Sequence, residues 1–194
     1  MKSPKSNYPF PTVDKLCEEA GMKPENYKKV YEETKKAETK LRETIAKQTT
    51  EPGKSIDSDT SLVLCGSFAR YEMVPGSDYD WLLLIDGQVN ESHAKRSQEI
   101  EAALVTANLK KPGTSGTFGN MVFSHELVHR IGGGADSNAN LTRRLSLLLE
   151  SRPLEGEHVW TDVIKNILSR YFEQEVHFSP NTKKIPRFLL NDIS

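Results

Sequence analysis

Asp78 and Asp80 stand one residue apart, directly before the apolar run Trp81-Leu-Leu-Leu-Ile85. On an extended strand, residues i and i+2 project to the same face, so the spacing predicts two carboxylates side by side with Tyr79 facing the other way. Like charges held that close repel one another unless a cation lies between them, and hard oxygen ligands suit Mg²⁺ or Mn²⁺. Ten residues separate Asp78 from Ser67, and Gly66-Ser67 follows a second β-prone run, Ser61-Leu-Val-Leu-Cys65. A glycine turn that leaves a buried strand and opens a helix offers backbone N–H groups to an anion and lets a phosphate come close; Ser67 adds a hydroxyl donor. One end of this stretch can therefore hold a triphosphate and the other a divalent metal. A Gly-Ser turn alone is commonplace, and so is a pair of solvated aspartates. The two apolar strands that frame them argue for a site.

A second pattern competes. His125-Glu126-Leu-Val-His129 matches H-E-x-x-H, which on a helix can bind zinc with the glutamate as general base. A catalytic zinc needs a third protein ligand. The position where a longer zinc motif would place a histidine is Ala135, which leaves Glu150 as the well-placed alternative. The helix is short and runs into Gly132-Gly-Gly134, so the simpler reading is two partly exposed helix histidines. Arg143 and Arg144 can reach phosphates, since a guanidinium suits bidentate oxygen recognition; the alternative is that they cap a helix surface or pair with Glu150.

These residues need elements to position them. The first eleven residues, with three prolines, read as an irregular arm. Thr12 to Ala20 predicts a short helix with Thr12 as N-cap and Gly21 as its end. Pro24 suits the first turn of a second helix running to about Gln48. Its apolar stripe is Tyr27, Val30, Tyr31, Thr34, Ala37, Leu41 and Ile45, and its interleaved Lys and Glu residues read as a solvated face. Thr49 to Thr60 reads as a linker. Ser61–Cys65 and Asp78–Ile85 read as strands, Glu91–Ala107 as a helix, Lys110–Gly119 as a loop and Asn120–Phe123 as a third strand. Helices are expected from Ser124 to about Ile131, over Asn138–Ser151 and over Val159–Val176. The second of these, Asn138–Ser151, carries Leu141, Leu145, Leu148 and Leu149 on one face and is stopped by Pro153. Ile185–Ser194 reads as the start of a helix that the chain end cuts short. The order predicts a mixed α and β core, an α/β (α+β) fold with a small mixed sheet and helices before and after it. Residues 1–59 would form an N-terminal helical segment, 60–155 the core, and 156–194 a C-terminal helical segment.

Composition sets the outer limits. Apolar residues make up 36% and charged residues 27%, as in ordinary soluble domains, and the longest apolar runs are far too short to span a bilayer. No apolar leader opens the chain, and the two cysteines, Cys17 and Cys65, form no disulfide framework, so a cytoplasmic location is the default expectation. A formal net charge of −1 provides no general basic field for nucleic acid.

Gly66-Ser67, ten residues, then Asp78-x-Asp80 resembles the signature of the polymerase-β-like nucleotidyltransferase superfamily. Arg70 and Glu72 extend the likeness, and Gly-Ser-x-x-Arg-x-Glu followed by Ser-Asp-x-Asp is similar to the subgroup near protein-PII uridylyltransferase and the DUF294-type nucleotidyltransferases. Softer similarities lie in Gly116-Thr-Phe-Gly119, Glu126-Leu-Val, Asn140-Leu-Thr-Arg-Arg144, Leu148-Leu-Glu-Ser-Arg-Pro153 and Pro186-Arg-Phe-Leu-Leu-Asn-Asp192, so the likeness covers roughly residues 60–194. It implies transfer of a nucleoside monophosphate from a nucleoside triphosphate to a hydroxyl acceptor: a protein side chain, an RNA end or a small molecule. It implies phosphates on Gly66 and Ser67, with Arg70, Arg143 and Arg144 as further candidates, although Arg70 also reads as a brace through Glu72 or Asp78. Asp78 and Asp80 would hold two Mg²⁺ or Mn²⁺ ions. The superfamily often adds a third carboxylate on a later strand; Asn120–Phe123 has none, and Glu126 is the nearest substitute. That gap leaves open a nucleotide-binding module without catalysis, beside the zinc hydrolase.

Overall fold

The computed structural model describes residues 11–48, 58–173, 175–176 and 185–186. The arm at 1–10 and most of the expected linker, 49–57, lie outside the described residues. Helix α1 (Pro11–Glu19) starts at its proline, whose missing N–H costs nothing in a first turn. Thr12 therefore lies inside the helix instead of capping it. The end is as expected: Gly21 adopts φ +65°, and Met22 N–H and Gly21 N–H reach back to the carbonyls of Cys17 and Glu18 at 2.7 and 3.1 Å. Helix α2 (Glu25–Gln48) buries Tyr31, Thr34, Glu38, Leu41 and Ile45 along one stripe.

Strands β1 (Thr60–Cys65) and β2 (Trp81–Ile85) form an antiparallel pair in which Leu62 faces Leu83 and Leu64 faces Trp81. Every residue of both is buried, which is why they read as continuous apolar runs. Their alternate side chains feed two cores. Leu62, Leu64, Trp81 and Leu83 pack with Leu41 and Ile45 of α2 and with Ile100, Ala103 and Leu104 of helix α4 (Glu91–Thr106). Val63, Cys65, Leu82 and Leu84 pack on the other face with Val159, Val163 and Ile167 of helix α7 (Glu157–Glu173). Strand β3 (Asn120–Phe123) runs parallel to β2, and β4 (Ser151–Glu155) runs antiparallel to β1, giving the order β3-β2-β1-β4. The result is a mixed four-stranded sheet between helices.

Several local expectations change. The strand expected from Asp78 starts only at Trp81. Helix α5 (Ser124–Val128) is shorter than predicted, with His129 as its C-cap. Helix α6 (Asn138–Leu149) is followed directly by β4, which the sequence reading lacked: Pro153 sits inside a strand. The sheet tolerates it because β4 is an edge and its pairing with β1 shifts register at Leu62/Val63. The expected leucine face of α6 meets the core only in part, through Leu148. Leu145 and Leu149 are exposed, Leu149 at 79%, while Asn140, Arg144 and Leu147 are buried. Ile185–Pro186 forms a short strand, β6, with β5 (Glu175–Val176) where a helix was expected; residues 187–194 lie outside the described residues. Among the described residues no helix is long and apolar enough to cross a membrane.

Candidate functional site

At the end of β1 the chain turns on Gly66, which adopts φ +59° and opens the short helix α3 (Gly66–Ala69). A side chain there would be strained, and a Cβ would stand 3.5 Å from Asp80 Oδ2. Cys65 N–H donates to the Asp80 carbonyl at 2.9 Å, so the end of β1 and the start of β2 meet at one corner. Tyr79, between the aspartates, turns inward and meets Phe68 edge to face, with ring centroids 4.7 Å apart.

The loop from Lys110 to Gly119 lies over Asp78. Tyr79 N–H donates to the Lys110 carbonyl at 3.0 Å, and a Cβ on Gly113 would come 3.7 Å from Asp78 Oδ2. Lys110 Nζ lies 2.6 Å from Asp78 Oδ1 as an ion pair. That oxygen is shielded from solvent and receives no hydrogen bond of ordinary geometry.

Asp80 has a raised pKa. Burial raises its pKa first, and the negative charges of Asp78 and Glu150 raise it further. Such a group favours a proton or a cation over bare ionisation. These features fit a divalent ion: two carboxylates at a partly dry corner, one with an oxygen that lacks a directed partner. Among the described residues no three His, Cys, Asp or Glu side chains converge as a complete metal cage. Mg²⁺ does not require one, since it is ordinarily held by one or two carboxylates together with waters and substrate phosphates.

The Gly66-Ser67 turn is less open than its sequence suggests. Gly66 N–H already donates to the Glu150 carbonyl at 3.0 Å. Ser67 Oγ points at Met73 Sδ, 3.2 Å away. A thioether is a weak acceptor, so a phosphate oxygen could readily replace it. Met73 N–H is in turn anchored to Thr34 Oγ1 of α2 at 3.0 Å. Nearby, Arg152 bonds the Ala69 carbonyl at 3.0 Å, pairs with Glu38 at 2.6 Å and lies over the Tyr71 ring. Helix α2 thereby braces the turn.

Of the arginines expected at the phosphates, Arg70 lies beside the turn with its guanidinium in ion pairs, and Arg143 and Arg144 are bonded to other groups. Arg70 pairs with Glu72 at 2.8 Å, one of the two partners its brace reading named, and also with Glu150. Beside it lies a cleft of about 370 Å³ lined by Tyr27, Arg70, Glu72, Leu149, Glu150 and Ser151. Arg143 donates to the carbonyls of Thr117 and Gly116 at 2.8 and 2.9 Å and to Asn140, tying the Lys110–Gly119 loop to α6. Arg144 is 0% exposed, with its fork on Asp136 at 2.9 and 2.7 Å and its Nε on Tyr171 OH at 2.8 Å. It is a core residue, because a buried guanidinium is tolerated when fully paired.

Glu126, the substitute third acid, pairs with Arg130 at 3.3 Å. β3 runs parallel to β2 with Phe123 beside Ile85, so α5 begins at the opposite end of β2 from Asp80. The third acid that acts on Asp80 is Glu150, the C-cap of α6. The rings of His125 and His129 lie 5.0 Å apart, but Glu150 is committed to Arg70. The zinc reading thus loses its third ligand. Lys110 and Glu150 are site neighbours that sequence reasoning did not assign to the site; Lys110 carries no local motif, and Glu150 lies in Leu148-Leu-Glu-Ser-Arg-Pro153, one of the softer likenesses.

Residues 12–132 match a protein-family model described as "Putative nucleotidyltransferase DUF294". The matched span holds α1, α2 and the corner built by Gly66, Asp78 and Asp80, and stops short of Arg143, Arg144 and Glu150. No curated protein matches the chain.

Proposed function

The chain belongs to the DUF294 nucleotidyltransferase family, and from that premise we propose that it transfers a nucleoside monophosphate from a nucleoside triphosphate to a hydroxyl acceptor at the Gly66–Asp80 corner. The observation that carries this reading is the approach of Asp80 Oδ2 to within 3.5 Å of a Cβ position on Gly66. It supports the reading because the Gly66 turn and Asp80 lie side by side.

Asp78 and Asp80 are the residues that would hold Mg²⁺ or Mn²⁺, which when bound supplies charge to draw in phosphate oxygens and to acidify the acceptor hydroxyl. Ser67 exchanges its Met73 contact for a phosphate oxygen. The Gly66 turn leaves room for that approach. The acceptor oxygen forms a new bond to the α-phosphorus, the α–β bridging oxygen leaves with pyrophosphate, and the hydroxyl proton is released to water. The chain's own contribution is positioning and charge, the terms that dominate phosphoryl and nucleotidyl transfer.

The acceptor class stays as wide as the sequence left it: a protein side chain, an RNA end or a small molecule. Pyrophosphate release from nucleoside triphosphates with Mg²⁺ and cell extract tests the reaction. It should occur with the wild type and vanish in the Asp78→Ala, Asp80→Ala variant. A second reading, a nucleotide-binding module without catalysis, is favoured by one observation: Lys110 neutralises Asp78. Tight triphosphate binding without pyrophosphate release would select it.

A further inference from the structure

Lys110 pairs with one of the two oxygens of Asp78, a carboxylate proposed to hold the metal. Its backbone is fixed beside the acidic pair by the Tyr79 N–H bond to its carbonyl at 3.0 Å. Its side chain is 61% exposed, and the ammonium reaches Asp78 Oδ1 at 2.6 Å and the Gly76 carbonyl at 3.0 Å. A divalent ion at Asp78 repels an ammonium held on the same carboxylate and takes up its negative charge, so metal binding weakens the hold of Asp78 on Lys110. The flexible stem lets the ammonium move while the backbone stays. The arginines that sequence singled out are already engaged: Arg70 with Glu72 and Glu150, Arg143 with loop carbonyls, Arg144 with Asp136. Lys111 pairs with Glu101 at 3.5 Å.

We propose that Lys110 is a two-position cation: it neutralises Asp78 in the free protein, and it moves onto an oxygen of the triphosphate when the nucleotide–metal complex takes Asp78. This rests on the metal-dependent reading of the site. It makes Lys110 a phosphate-binding residue that also holds the empty site electrically balanced.

The two positions give opposite signs in two binding measurements. Mn²⁺ alone, followed by electron paramagnetic resonance, probes the free site. Inorganic tripolyphosphate with saturating Mg²⁺ probes the loaded site without involving a base. Lys110→Gln should bind Mn²⁺ roughly two- to fivefold more tightly, the scale of one partly exposed charge pair. It should bind Mg²⁺–tripolyphosphate about tenfold more weakly, as expected for loss of a charge-assisted hydrogen bond. Lys110→Arg, which keeps the charge, should recover most of the tripolyphosphate binding. Unchanged values, or both affinities moving the same way, overturn the inference; so does a change in one affinity alone. A wild type that binds neither Mn²⁺ nor tripolyphosphate sinks the underlying reading of the site, an outcome distinct from equal behaviour of wild type and variant.

Discussion

Gly66 and Asp80 face each other so closely that a single methyl group on Gly66 would stand 3.5 Å from Asp80 Oδ2. The turn that would meet a phosphate and the carboxylate that would meet a metal are therefore one structural unit. Gly66→Ala should cost about 1–2 kcal/mol, because φ +59° is the left-handed region that L side chains avoid. In a chain of this size that lowers Tm by about 2–8 °C. The added Cβ makes only ordinary van der Waals contact with Asp80 Oδ2, so Mn²⁺ affinity should change little. Native stability of the variant would contradict the strained turn.

Asp80 links the site to pH. Its folded-state pKa is raised by burial, then by Asp78 and Glu150. The folded protein thus holds this proton more tightly than the unfolded chain. Stability falls as pH rises from the ordinary carboxylate range, about 4, through the raised value. Asp80→Asn removes that cost. It should melt above the wild type at pH 7, with the gap closing at or below about pH 4. Mn²⁺ at one hundred times its Kd should stabilise the wild type by about 2.7 kcal/mol and the variant by much less. Melting curves at both pH values, with and without Mn²⁺, check each sign.

Arg144 belongs to the core. Its fork on Asp136 is fully buried on the arginine side, so Arg144→Met leaves Asp136 unpaired and should cost about 3–5 kcal/mol in urea denaturation. Burial alone would raise the Asp136 pKa, but the hydrogen bonds from Arg144 and the Gly132 amide outweigh it and hold the carboxyl below its usual range. A depressed acid contributes stability above its unfolded pKa and loses it as pH falls through the folded value, so the wild type should lose more stability on acidification than Arg144→Met. A variant of native stability with selectively weakened nucleotide binding would return Arg144 to the site.

The reach of the sequence differs from element to element. β1 and β2 were legible because both are buried on two faces and read as unbroken apolar runs. The acidic pair and the glycine turn were legible because each is local. β4 was hidden by Pro153, which signals a stop unless the strand is known to be an edge. The buried face of α6 was misread because an arginine that finds Asp136 and Tyr171 inside the fold outweighs exposed leucines. Lys110 and Glu150 reach the corner only through tertiary contacts from distant loops and caps, which no local pattern encodes.

His125 and His129 provide a control. Their double alanine variant should retain the transfer activity of the wild type and show no loss of bound metal by elemental analysis. Near-stoichiometric zinc in the wild type, lost in the variant, would revive the H-E-x-x-H reading.

The most direct measurement follows both ends of the nucleotide. Nucleoside triphosphates labelled at the α- or the γ-phosphate are incubated with the protein, Mg²⁺ and cell extract. The α-label should enter an acceptor covalently while the γ-label leaves in pyrophosphate, and both should disappear with Asp78→Ala, Asp80→Ala. Transfer of the γ-label to an acceptor, or equal α-labelling by wild type and variant, would contradict the account.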